Sequence, residues 1–385
     1  MVDSLKSKRL SGVGEYYFSK KLKQIEELNK AGHQVLNLGI GSPDLKPPQS
    51  VQDALIAGLE ESNANQYQSY KGIPELREAF ASWYQTYFDL SLNPDQEVLP
   101  LIGSKEGIMH ISMSLLNERD KVLVPNPGYP TYGAASKIAG AEVIHYTLNE
   151  NNNYLPDFDE LELLENVKLM WVNYPHMPTG TDGSEELFQR LVNFSRKKGI
   201  IIVNDNPYGF ILTNEQNSLL KHRHESDLVL ELNSLSKSHN MAGWRVGLIS
   251  GNPDLIQTIL TFKSNMDSGQ FKPIMRAAIA ALNEPKSWYD QINSEYRKRR
   301  EKVLEIVDLI DCKITNKQVG MFVWTKISTK HQQAELFADH LLEEYKIFVP
   351  PGSVFGSEGG QYIRFSLCSD MPVWNEVINR IKEKK

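Results

Sequence analysis

The chain has 385 residues and a formal net charge of -6, with 41% hydrophobic and 23% charged residues, the proportions of a protein that packs a core in water. That length exceeds what one hydrophobic core supports and predicts two domains. The acidic balance argues against a nucleic-acid surface, which needs clustered Lys and Arg. The two cysteines, Cys312 and Cys368, are too few for a disulfide scaffold and fit a reducing cytoplasm. Residues 1–14 are polar and lack the apolar segment of a signal peptide. No apolar run approaches the roughly 20 residues that cross a bilayer. The expectation is a cytoplasmic protein with neither membrane nor nucleic acid as a partner.

Along the chain, short β-branched runs alternate with helix-length segments. Strands are expected at Val98–Ile102, Lys121–Val124, Glu142–Tyr146, Leu169–Val172, Ile200–Asn204, Leu228–Leu232 and Gly247–Ile249, with helices at Lys105–Leu116 and Ser184–Lys198. This alternation predicts an α/β fold, a mostly parallel seven-stranded sheet between helices. After Asn283 the texture changes to a long charged helix, Lys286–Asp308, in which Tyr296–Arg300 reads as a solvated face. Two strands, Met321–Lys326 and Tyr362–Leu367, flank an amphipathic helix at Gln333–Tyr345. The expected organisation is an N-terminal arm (1–33), a small α/β domain from 34–50 and 284–385, and a large domain at 51–283.

Several segments carry chemistry. In Ser234-Leu235-Ser236-Lys237, one lysine sits among hydroxyls just past a strand, and Arg245 follows. A lysine that forms an imine with an aldehyde needs a depressed pKa, from a nearby cation or from shelter from water. Ser234 and Arg245 offer a phosphate one hydroxyl and one guanidinium fork. Asp205 ends the apolar run Ile200–Val203; there it either caps a helix or pairs with a cation such as a protonated pyridine nitrogen. Tyr208, three residues on, can donate to a phenolate oxygen on the same ring. Gly103-Ser104-Lys105 joins a strand to a helix whose N-terminal N–H groups attract phosphate, but it lacks the spacing of a nucleoside-triphosphate loop. Tyr129, in the rigid turn Pro127-Gly128-Tyr129-Pro130, either packs in the core or stacks on a flat ring. Arg364, mid-strand among apolar residues, needs an anion: a substrate carboxylate or an internal carboxylate. No metal site emerges; His222-Arg223-His224 reads as a solvated loop without companion ligands.

In their joint order these segments resemble the fold-type I, class I/II aminotransferases from about Val35 to Ile381. The match takes in Leu38-Gly39-Ile40-Gly41-Ser42-Pro43-Asp44, then Tyr67 ahead of Gly72-Ile73-Pro74, and Asn173-Tyr174-Pro175-His176-Met177-Pro178-Thr179-Gly180. The resemblance implies pyridoxal 5′-phosphate as cofactor, carried by Lys237 as an imine and held by Ser104, Lys105, Ser234, Ser236 and Arg245 at its phosphate. It implies Tyr129 as the stacking aromatic, with Asp205, Tyr208, Asn173 and position 177 around the ring. Gly41 and Arg364 resemble the site of the substrate α-carboxylate. Tyr67 resembles the residue that reaches a neighbouring subunit's phosphate, which implies a homodimer with shared active sites.

Within that family, Ile102–Ile108, Ser234–Arg245 and Asp267-Ser268-Gly269-Gln270-Phe271 look most like the branch of LL-diaminopimelate and aspartate aminotransferases. The expected reaction is ping-pong transfer of an amino group between an L-amino acid and a 2-oxo acid. One position departs from the pattern. Met177 stands where the family has an asparagine, and a thioether cannot donate a hydrogen bond to the ring oxygen. That departure keeps open a carbon–sulfur β-lyase on the same fold. A non-catalytic cofactor-binding protein is disfavoured by the presence of Lys237, and a nicotinamide dehydrogenase by the missing Gly-rich loop.

Overall fold

The computed structural model describes residues 7–15 and 17–384, so Met1–Lys6 and Tyr16 of the expected N-terminal arm, and Lys385, lie outside the described residues. The arm's remainder holds the helix Tyr17–Lys30. In chain order the strands are β1 (Leu36–Asn37), β2 (Val98–Leu101), β3 (Lys121–Asn126), β4 (Glu142–Thr147), β5 (Val167–Val172), β6 (Ile201–Asp205), β7 (Val229–Ser234), β8 (Gly247–Gly251), β9 (Phe322–Lys326), β10 (Ile347–Phe348) and β11 (Tyr362–Ser366).

Seven of them form one sheet in the order β2-β8-β7-β6-β5-β3-β4. β2, β5, β6, β7 and β8 are buried almost throughout because apolar side chains pack both faces, the pattern of a sheet sandwiched by helices. Each strand expected from the sequence is present, with ends shifted by no more than two residues. β8 alone runs antiparallel to its neighbours β7 and β2. The chain therefore leaves β7 at one edge, turns, and re-enters through β8 from that same edge. Both ends of the turn stay there, and that turn carries Lys237.

Local chemistry sets the helix starts. Ser184 caps rather than begins its helix, accepting from Leu187 N (3.1 Å), so the helix runs Glu185–Lys198. The helix Ser104–Leu115 starts directly after the loop from β2, with Gly103 at φ +83° as its N-cap.

Outside the sheet, β1 pairs parallel with β10, and β9 pairs antiparallel with β11. Leu38 ties the two pairs together: its N–H donates to Phe348 O (2.9 Å), and its carbonyl accepts from Ser366 N (2.8 Å). The long helix, Lys286–Leu309, corrects one expectation. Tyr296 and Arg299 are buried rather than solvated. Arg299 Nη1 and Nη2 meet both oxygens of Asp44 (2.6 and 3.0 Å), Nη1 donates to Leu367 O (3.0 Å), and Arg300 Nη1 donates to Gln318 O (2.5 Å). Arg297 and Lys298 stay exposed as expected, while Arg299 is buried against an anion that lies far off in sequence. In the His222–His224 stretch only Arg223 departs from the expected solvated loop, its side chain being largely buried and ion-paired with Glu97 (2.5 Å), while His224 stays exposed. No helix among the described residues is long and apolar enough to cross a membrane.

Candidate active site

A cavity of about 810 Å³ opens at the carboxyl ends of β2, β3, β5, β6 and β7, the edge where open α/β sheets bind ligands. It is lined by Gly41, Ser104, Lys105, Tyr129, Asn173, Met177, Asp205, Tyr208, Ser234, Ser236, Lys237, Arg245 and Arg364. These are all of the expected site residues except Tyr67, which lies elsewhere and is 91% exposed.

Lys237 sits in the helical turn Leu235–Ser238 that follows β7, and its Nζ donates to Gly41 O. Burial pushes its ammonium below the usual lysine range, and the charges of Arg245 and Arg364 push the same way, while Cys368 opposes them. A share of neutral, nucleophilic amine is thereby favoured. Ser234 caps the same turn: its hydroxyl accepts from Ser236 N (3.1 Å) and donates to Ser236 Oγ (2.9 Å). Arg245, at φ +58°, precedes β8 and leans back over the Gly103 loop, where a Cβ would overlap its Nη2. A hydroxyl pair, a guanidinium and the N-terminus of the helix Ser104–Leu115 thus converge on one cradle.

Asp205 ends β6 with its side chain buried. Its Oδ2 accepts from the Tyr132 hydroxyl (2.8 Å), while Oδ1 is buried without a partner. Burial pushes the carboxyl up to about 6; Tyr132 pulls it down, and the charge of Glu231 pushes it up again. A buried carboxylate oxygen aimed into a cavity calls for a cationic donor. A protonated pyridine nitrogen answers that need, so the residues present fit pyridoxal phosphate. Tyr208 faces the same space, packed edge-on against Phe322 (5.6 Å).

On the opposite wall, Arg364 lies over the rings of Phe322 (3.9 Å) and Phe355 (4.5 Å). Its Nη2 donates to Gly39 O (2.6 Å) and its Nη1 meets Met177 Sδ (3.2 Å). Asn173 is committed to backbone: its Nδ2 donates to Asp205 O and its Oδ1 accepts from Met177 N (2.9 Å). His176 is buried, with Nδ1 2.8 Å from Thr179 Oγ1, and burial lowers its pKa to about 3.

Sequence reasoning missed several contributors. Tyr132, stacked on Trp171 (5.1 Å, 8°), carries no motif of its own in the sequence. Phe18, Leu22, Lys23 and Glu26 of the helix Tyr17–Lys30 also line the cavity, and only tertiary packing brings them there. Elsewhere, Glu106, His110 and Asp267 converge as possible metal ligands, but Lys263 Nζ already meets both oxygens of Asp267 (2.7 and 2.8 Å).

Residues 33–381 match the family described as aminotransferase class I and II. An LL-diaminopimelate aminotransferase of Dehalococcoides mccartyi is 39% identical over 365 residues, covering 94% of each chain. One from Aquifex aeolicus is 36% identical, covering 98% of this chain and 99% of that one. Among solved structures, BacF of Bacillus subtilis superimposes with a TM-score of 0.94 at 31% identity, covering 98% of each chain. The aspartate aminotransferase of Thermus thermophilus shares the fold with a TM-score of 0.91 at 23% identity, covering 98% of this chain and 99% of that one.

Proposed function

Since the chain belongs to the class I and II aminotransferases, and is thereby a pyridoxal-phosphate-dependent enzyme of fold type I that transaminates, we propose LL-diaminopimelate as its amino donor and a 2-oxo acid as acceptor. The observation that carries the reading is one cavity joining Lys237, Asp205 and Arg364. The donor is supported by the relatives that bear that name.

When bound, pyridoxal phosphate supplies an aldehyde for the amino group and a ring that accepts the electrons released at the α-carbon. In this reading Ser104 and Lys105, through backbone N–H, join Ser234, Ser236 and Arg245 in holding the phosphate. Tyr129 stacks on the ring. Asp205 keeps the ring nitrogen protonated, and Tyr208 donates to the ring oxygen beside Asn173 and Met177. Arg364, with Gly41, orients the donor's α-carboxylate. Lys237 would carry the cofactor through Nζ, and as a free amine it would serve as general base for the proton on the donor's α-carbon.

We also read the protein as a cytoplasmic homodimer in which the exposed Tyr67 serves the neighbouring subunit's site, and residues 34–50 with 284–385 as a small domain against a large one at 51–283. A panel of amino acids, followed by the conversion of the cofactor's aldehyde form to its amine form, tests the donor. Conversion by LL-diaminopimelate well ahead of aspartate is expected, and the reverse order would retire it. Pyruvate and ammonia released from cystathionine would point to the β-lyase instead.

A further inference from the structure

Gln270 is a buried amide that does not line the cavity, yet its Nε2 donates to two backbone carbonyls that flank the cradle. One is Leu101 O (3.1 Å), at the end of β2; the other is Arg245 O (2.9 Å), just ahead of β8. Both partners can only accept, so the nitrogen and not the oxygen of the amide must face them. Oε1 is buried without a partner among the described residues. A buried amide with one end unused costs stability that an apolar side chain of the same length would not, so packing alone does not call for glutamine here.

Those two carbonyls belong to the two walls of the cradle. The peptide unit joining Leu101 to Ile102 leads through Gly103 into the helix Ser104–Leu115, and its N–H is held as well, donating to Glu106 Oε2 (2.5 Å). Arg245 adopts φ +58°, a conformation uncommon for a residue with a side chain, which persists where neighbouring contacts hold it. Its own Nη1 donates to Ala242 O (2.9 Å), and Gln270 holds its carbonyl. One amide group thus ties the backbone behind the helix N-terminus to the backbone that carries the guanidinium. Gln270 is itself presented by a braced turn. Asp267 Oδ1 accepts from Gly269 N (3.0 Å) and from Lys263 Nζ (2.7 Å). Gly269, at φ +82°, lies so close to Gln68 O and Ser69 O that a Cβ would approach each to 2.8 Å.

We propose that Gln270 is a positioning residue for the cofactor's phosphate: it sets the spacing between the helix N-terminus and the Arg245 guanidinium, and so their joint grip on the anion. The inference rests on the reading of Ser104, Lys105 and Arg245 as the phosphate cradle. Gln270→Met isolates the donation, because it keeps the length of the side chain and removes the unpartnered oxygen along with the two N–H bonds. Gln270→Glu keeps size and polarity while turning an oxygen toward both carbonyls.

The test compares two ligands on the apoprotein, pyridoxal phosphate and pyridoxal, which lacks the phosphate. Dissociation constants come from fluorescence titration, and their ratio is the readout, so a general loosening of the fold cancels. In Gln270→Met, affinity for pyridoxal phosphate should fall on the order of tenfold, the effect of one or two ordinary hydrogen bonds, with affinity for pyridoxal unchanged. Gln270→Glu should lose at least as much. An unchanged ratio in either folded variant overturns the inference. Failure of both variants to fold overturns it too, since the amide would then be holding the fold rather than the cradle. Arg245→Met separates the two readings: it should abolish the preference for the phosphorylated ligand, and if it does not, the assignment of the cradle fails first.

Discussion

The Tyr132 hydroxyl donates to Asp205 Oδ2 across 2.8 Å while the tyrosine ring stacks on Trp171. The contact fixes one carboxylate oxygen and leaves the other facing the cavity. Tyr132→Phe keeps the stack and removes the donor, so the Asp205 carboxyl should rise further. A hydrogen bond to a charged group contributes about 1.5–3 kcal/mol, so cofactor affinity at neutral pH should drop roughly ten- to a hundredfold. Equilibrium binding to the apoprotein checks this, and an unchanged dissociation constant would show that the tyrosine is only packing.

Asp205 also shapes the pH dependence of the cofactor-free protein. Its carboxyl lies near 3.8 when unfolded and near 6 when folded. A raised folded-state value stabilises fully below the lower figure, and that stability is lost as pH rises through about 6. Two units correspond to about 3 kcal/mol. Asp205→Asn does not titrate. Cofactor-free Asp205→Asn should therefore gain on wild type between pH 4 and pH 7, by up to that amount, in urea unfolding. A difference that stays flat across the range would contradict the burial argument.

Lys237 is the expected covalent anchor. Borohydride reduction of the loaded enzyme, followed by peptide mass mapping, should place the pyridoxyl group on Lys237. A label on Lys105 would move the site. Lys237→Ala should lose turnover while still binding the cofactor's phosphate through the cradle it does not touch.

Met177 bears on the ring oxygen. Asn173 gives one N–H to Asp205 O and accepts from Met177 N, and His176 faces Thr179, so position 177 itself supplies no donor to that oxygen. Met177→Asn adds one that favours the ionised ring oxygen. The pH at which the bound cofactor's visible absorbance changes should fall, by one to two units as an approximate upper bound. A titration that stays put would mean that the site is not short of a donor.

Tyr67 is 91% exposed and does not line its own chain's cavity, and in the proposed homodimer it serves the neighbouring subunit's site. Mixed and re-dimerised Lys237→Ala and Tyr67→Phe chains should regain part of the wild-type activity. A fully active monomer by light scattering would exclude the shared site.

The sheet was legible because its strands are buried on both faces and read as apolar β-branched runs. The direction of β8 was not, since nothing within Gly247–Gly251 encodes which way it enters. β1 and β10, two residues each, are too short to show any period. Most of the site residues could be grouped because they lie at or just past readable strand ends, whereas Arg364 sits within β11 and Tyr67 lies outside the cavity. Arg299 was misjudged because its partner Asp44 lies in a distant segment.

Gly103 and Arg245 occupy one volume between them, the glycine contributing the emptiness and the arginine the charge. A methyl group at position 103 would evict the flexible guanidinium and would also strain the backbone, since Gly103 sits at φ +83°. A chain that folds despite that strain would arrive without a grip on its ligand. A fault of that kind passes every check on protein quantity and shows only in occupancy.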